Sequence, residues 1–222
     1  MPGPFDSWDA YFWEPGGLVL QNLFGLRDAH ALAKREYAET AIQQFDIERG
    51  ATNIARTYDA RHLRSIHEHL FGGVYAWAGQ FRSVGMSKGS YDFAEPSSIS
   101  GYLAQAHRRI TTSPWAAMNK TEFATECARI FAYINYAHPF REGNGRTSKI
   151  FMQQVSELSR FRLEFDPKVS RITPEIWNQA SRLSVPDIGS DEPEPQALVP
   201  VFARLARPRN PLETARPGSS PA

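Results

Sequence analysis

Apolar residues recur at helical spacing from residue 28 to 45, where Leu32, Ala33, Tyr37, Ala41, Ile42 and Phe45 are separated by charged positions. That repeat predicts an amphipathic helix. Asp59 is placed to cap a second helix with an inner face of Leu63, Ile66, Leu70 and Val74, loosened at its end by Gly72-Gly73. Ser97 or Ser98 caps a third, which carries Leu103, Ala106 and Ile110. A fourth begins near Asn119 and presents Phe123, Cys127, Ile130, Phe131 and Ile134. A fifth follows Gly145 with Ile150, Phe151, Val155 and Leu158. Thr173-Pro174, a capping residue before proline, opens a helix with Ile176, Trp177, Ala180 and Leu183, and a last helix carries Leu198, Val201, Phe202 and Leu205.

Only residues 80–94 break this period. Aromatic residues, Gly85, Gly89 and short polar residues there predict a β-hairpin turning near Ser87-Lys88-Gly89-Ser90. The fold class is therefore all-α with one β-hairpin. Residues 1–207 form one domain, and the Pro-, Arg- and Ser-rich tail at 208–222 is expected to be disordered, because it lacks apolar residues to offset ordering entropy.

Composition narrows the classes of function. A chain of 222 residues with 41% hydrophobic content can bury one sizeable core. Its 25 basic and 24 acidic residues leave a net charge of +1, so no global field draws it to nucleic acid or an anionic membrane. No basic stripe interleaves with aromatics, which argues against a nucleic-acid partner. No apolar run is long enough to span a bilayer and no secretory leader is evident, which reads as a cytoplasmic protein; a signal read by a secretion receptor would escape that test. The single cysteine, Cys127, lies on an apolar stripe and reads as core. His30, His62, His67, His69 and His107 read as structural, and Trp8, Tyr11, Phe12 and Trp13 as a segment packed onto the helices.

The chemistry concentrates between the fourth and fifth helices, in His138-Pro139-Phe140-Arg141-Glu142-Gly143-Asn144-Gly145-Arg146. Gly143-Asn144-Gly145 permits backbone conformations closed to larger residues and gathers main-chain N–H groups into an anion cradle. The helix that follows aims its first-turn N–H groups and partial positive charge at the same spot. Arg146 can close on a phosphate with its planar fork, Glu142 is a hard oxygen ligand suited to Mg2+, and His138 can accept a proton at neutral pH. These are the parts for in-line attack of a hydroxyl on phosphorus. Phe140 reads as the anchor that holds the loop to the core.

The run from His138 to Arg146 resembles the signature of the Fic-domain family, His-x-Phe-x-Asp/Glu-Gly-Asn-Gly-Arg, at every fixed position. Residues 11–26 are similar to the segment that opens that domain, and Tyr75-Ala76-Trp77-Ala78-Gly79 to the one that precedes its hairpin. The resemblance implies a protein adenylyltransferase that moves AMP from Mg-ATP to a hydroxyl side chain of a target protein. His138 would be the general base and Glu142 would hold Mg2+. Gly143, Asn144, Gly145 and Arg146 would bind the phosphates. The hairpin, with Ser87, Lys88 and Gly89 at its tip, would be a flap that docks the target by edge-strand pairing.

Two departures accompany the resemblance. Many members carry a second arginine, implied to contact the distal phosphate, where this chain has Lys149; the charge is kept and the bidentate fork is lost, so weakened activity is expected. No inhibitory helix of the form Ser/Thr-x-x-x-Glu-Gly/Asn is found. Either a separate small antitoxin supplies that helix or regulation differs. The competing readings are the same scaffold with another donor, in UMP, phosphoryl or phosphocholine transfer, and a nucleotide-binding protein with weak or lost turnover.

Overall fold

The helices begin where the chain supplies acceptors for first-turn N–H groups that a helix cannot pair internally. In the computed structural model, which describes residues 5–89, 91–187 and 189–209, Asp28 accepts from the Ala31 N–H to open α1 (Ala29–Glu48). Asp59 accepts from Arg61 and His62 to open α2 (Ala60–Phe71). The hairpin is β1 (Ser87–Lys88) and β2 (Tyr91–Asp92), paired Ser87 with Asp92 and Lys88 with Tyr91. It is far shorter than the aromatic stretch suggested, and the chain on either side of it runs irregularly. α3 (Ile99–Thr112) starts from a 3-10 turn without a side-chain cap. Asn119 and Glu122 exchange hydrogen bonds in a capping box that opens α4 (Lys120–Ala137). α5 (Asn144–Val155) starts at Asn144, slightly earlier than its apolar pattern indicated.

A second ladder was not foreseen. β3 (Phe161–Leu163) pairs antiparallel with β4 (Ala206–Pro208), Phe161 opposite Pro208 and Leu163 opposite Ala206. The partners are distant in sequence and no turn joins them, so local pattern could not announce the pairing. α6 (Pro167–Ser170) is one turn, α7 (Pro174–Arg182) is capped by Thr173, and α8 (Val199–Leu205) leads into β4. Because Pro208 belongs to that ladder and the Arg209 N–H donates to the Arg160 carbonyl at 2.8 Å, the folded part runs past residue 207. The rest of the expected tail lies outside the described residues.

α4 is the centre of the core. It packs against α3, α8 and α5, α2 packs on α5, and α1 on α2. Phe123, Ala124, Cys127, Ala128 and Ile130 are wholly buried along it. Two helices depart from expectation in the face they bury. On α1, Leu32, Thr40 and Ile47 point inward while Tyr37, Ile42 and Phe45 are 73%, 59% and 63% exposed. On α7, Trp177 and Ala180 are buried but Ile176 and Leu183 face outward. Among the described residues, no helix is long and apolar enough to cross a membrane.

Candidate active site

α4 ends in a sharp reversal. His138 is its C-terminal cap, in the left-handed region at φ +38°, and the following Phe140 is wholly buried. The Phe140 ring stacks on His67 with centroids 3.8 Å apart, and His67 lies in turn against Phe71 at 4.7 Å. The Gly79 N–H donates to His67 Nδ1 at 2.8 Å, so the ring proton sits on Nε2 and donates to the Glu142 carbonyl at 2.9 Å. A histidine read as structural thus fixes the loop between α4 and α5.

The chain then turns into α5 through Gly143, at φ +82°. A Cβ there would lie 2.3 Å from two Phe71 ring atoms, so both the backbone angle and the packing demand glycine. The Asn144 side chain accepts from the Phe140 N–H at 2.9 Å and donates to the Phe140 carbonyl at 2.7 Å. Its amide therefore closes the loop, and its contribution to an anion site is its main-chain N–H. The first helical bond of α5 runs from Thr147 N–H to the Gly143 carbonyl, which leaves the N–H groups of Asn144, Gly145 and Arg146 as the ones a helix cannot pair internally.

Asn144 and Gly145 border a cavity of about 330 Å³. One wall is the loop, with His138, Glu142, Gly143, Asn144 and Gly145. A second is the hairpin, with Ser87, Lys88 and Phe93. A third comes from α4 and α7, with Asn135, Trp177, Asn178 and Ser181. The Phe93 and His138 rings stack at 3.7 Å and 11°. Burial, helped by the charges of Arg82 and Lys88, pushes the His138 pKa down to about 3 against a backbone hydrogen bond to Asn135 that raises it. The imidazole is therefore neutral at pH 7. Burial likewise brings His67 down to about 4.

Glu142 is the only acidic residue in the cavity wall among the described residues, with its side chain 45% exposed. One carboxylate oxygen accepts from the Gly143 N–H at 2.9 Å. No group of three or more metal-ligating side chains occurs among the described residues. The donor set fits a Mg2+ that takes one carboxylate from the protein and its other oxygens from phosphate and water, the usual pattern for that ion.

Arg146 and Lys149 are not in the wall. Arg146 points toward α1, where its guanidinium meets the Glu36 carboxylate at 2.5 Å and the Thr40 hydroxyl at 3.1 Å, and covers the Phe71 ring at 4.6 Å. Glu36 also accepts the Tyr75 hydroxyl. Burial pulls the Lys149 pKa down, and its ammonium lies over the Trp177 and Phe165 rings at 5.2 and 5.7 Å. Gly89 is at the hairpin turn, φ +65°, outside the wall. Arg141, given no role in the sequence, reaches the wall with its guanidinium 4.0 Å over Trp8. Arg82, His67, Phe93, Asn178 and Ser181 were also missed as site residues. Glycine beside aromatic residues hinted that the region around the hairpin was special, but nothing in the sequence singled these residues out.

Comparisons with known proteins place the sequence and the fold. The sequence profile described as the Fic/DOC family matches residues 57–156. The protein adenylyltransferase VbhT of Bartonella schoenbuchensis is 32% identical over 156 residues, covering 70% of this chain but 32% of that protein, so the chain spans about a third of that relative's length. A probable protein adenylyltransferase of Sinorhizobium fredii is 31% identical over 158 residues, 68% of this chain and 77% of its own. Among solved structures, the N-terminal Fic domain of a VirB-translocated Bep effector of Bartonella quintana, with bound ADP, superposes with a TM-score of 0.77 at 27% identity. It covers 91% of this chain and 97% of that one.

Proposed function

The chain belongs to the Fic/DOC family, and on that footing we propose that it transfers AMP from Mg-ATP to a Ser, Thr or Tyr hydroxyl of a protein. The observation that carries the reading is the neutral imidazole of His138 on the same cavity wall as the open first turn of α5 and the Glu142 carboxylate. His138 takes the proton of the target hydroxyl as its oxygen attacks the α-phosphorus, a P–O bond forms, and pyrophosphate leaves. The N–H groups of Asn144, Gly145 and Arg146 receive the phosphate oxygens, with Gly143 setting the turn. Mg2+ on Glu142 supplies charge neutralisation at the phosphates when bound.

The Arg146 guanidinium serves phosphate by exchanging its Glu36 contact for an anion, and Lys149 is the weakest member of the set because Trp177 holds its ammonium. The hairpin offers Ser87 and Lys88 along a short strand with open edges, suited to extending a sheet with an extended target segment. The reading includes restraint by a separate small antitoxin, as the resemblance to the family implies. The test is incubation of the purified protein and its His138→Ala variant with a lysate, Mg2+ and ATP labelled on either the α- or the γ-phosphate. Label in a protein band from the α position alone, lost with His138, is the expected result. Label from the γ position means phosphoryl transfer, and no label from either means another donor or a protein without turnover.

A further inference from the structure

Arg82 is 2% exposed and forms no ion pair among the described residues. Its guanidinium instead donates to four main-chain carbonyls: Nε to His138 at 2.8 Å, one terminal nitrogen to Val84 at 2.7 Å, and the other to Ala94 at 2.5 Å and Ala137 at 3.1 Å. Its own N–H donates to the Pro139 carbonyl at 2.8 Å. One side chain therefore joins the two ends of the flap, at 84 and 94, to the last carbonyls of the helix that ends in His138. A buried guanidinium without a carboxylate is tolerated here because the negative end of α4 and converging carbonyls satisfy it.

We propose that Arg82 is a positioning residue that sets the flap and the backbone of His138 as one unit, so that a target seated on the hairpin is in register with the base. This rests on the reading of His138 as the base. His138 has a positive φ that a non-glycine residue keeps only when its neighbours hold it there, and Arg82 grips its carbonyl from the flap side. Phe93, next to the gripped Ala94, lies flat on the His138 ring, and the Ala94 N–H donates to the Tyr136 carbonyl at 3.0 Å. Lysine cannot replace this arrangement, because one ammonium cannot span acceptors that a planar fork reaches in separate directions.

The test compares Arg82→Lys and Arg82→Gln with the parent in thermal unfolding, Mg-ATP calorimetry, transfer kinetics and amide hydrogen exchange. In folded protein, Mg-ATP affinity stays within about threefold while kcat falls about tenfold or more in both variants. Exchange at the Phe93, Ala94 and His138 amides rises about tenfold while the amides of α3 stay within about twofold. In the His138→Ala background, Arg82→Lys changes the residual rate by less than about twofold, because the two act through one group. Parent-like kcat in folded Arg82→Gln, or exchange raised uniformly across the core, overturns the proposal. If His138→Ala itself keeps full activity, the base reading fails, while the exchange data still report whether Arg82 joins the flap to the end of α4.

Discussion

α1 and α4, of 20 and 18 residues, both carry apolar repeats in the sequence, and they use them in opposite ways. α4 turns its repeat inward and fills the core with it. α1 leaves Tyr37, Ile42 and Phe45 in solvent and turns a mixed face of Leu32, Glu36, Thr40 and Ile47 toward the protein, where Glu36 and Thr40 hold Arg146 of α5. The repeat thus reports that a segment is helical without saying which side is buried. Where an inward position serves a charged residue of the site, the core face need not be the most apolar one.

The largest effect that separates the two helices is expected from Ile130→Ala on α4, wholly buried, which should cost about 2–5 kcal/mol in denaturant unfolding. Gly143→Ala should cost about 2–4 kcal/mol, since it combines a positive φ with a clash against Phe71, and its melting temperature should fall accordingly.

A third expectation concerns pH. His62 and His67 on α2 both have pKa values lowered from 6.5 to about 4, chiefly by burial, so the unfolded chain binds protons in a range where the native one does not. Their contribution is complete above pH 6.5 and is lost as pH falls from there toward about 4. Each should account for on the order of 3 kcal/mol of that loss, visible in melts across the range and roughly halved in His62→Gln.

Glu36→Gln removes the nearest charge that holds Arg146 and should cost about 1–2 kcal/mol while leaving Mg-ATP affinity no weaker by calorimetry, because a phosphate then meets a guanidinium held only by the Thr40 hydroxyl and, at 3.6 Å, by Glu142. The smallest effect belongs to Ile42→Ala on the exposed face of α1, within about 0.5 kcal/mol of the parent. A loss there comparable to that of Ile130→Ala would mean that α1 is covered in solution.

Much of the site was legible because its residues are contiguous. A nine-residue run singled out His138, Glu142 and the glycine turn, and the structure places His138, Glu142, Gly143, Asn144 and Gly145 on one wall. The caps at Asp59 and Thr173 were legible for a similar reason, as each lies within three residues of the N–H it serves, whereas the cap expected at Ser97 or Ser98 makes no capping bond because a 3-10 turn leads into α3. What escaped depends on contacts between distant positions: the pairing of β3 with β4, the partnership of Glu36 with Arg146, the grip of Arg82 on four carbonyls, and the use of His67 to hold the Glu142 carbonyl. The Asn144 side chain had no role of its own in the sequence, and the structure spends it on the Phe140 backbone.

The most direct test of the central claim is mass spectrometry on the target protein isolated from the labelled lysate, after incubation with unlabelled Mg-ATP and either the parent or His138→Ala. The account predicts one AMP esterified to a hydroxyl side chain with the parent and an unmodified target with a folded His138→Ala. An equal yield of modified target from both enzymes, or an added group lacking adenosine, would contradict it.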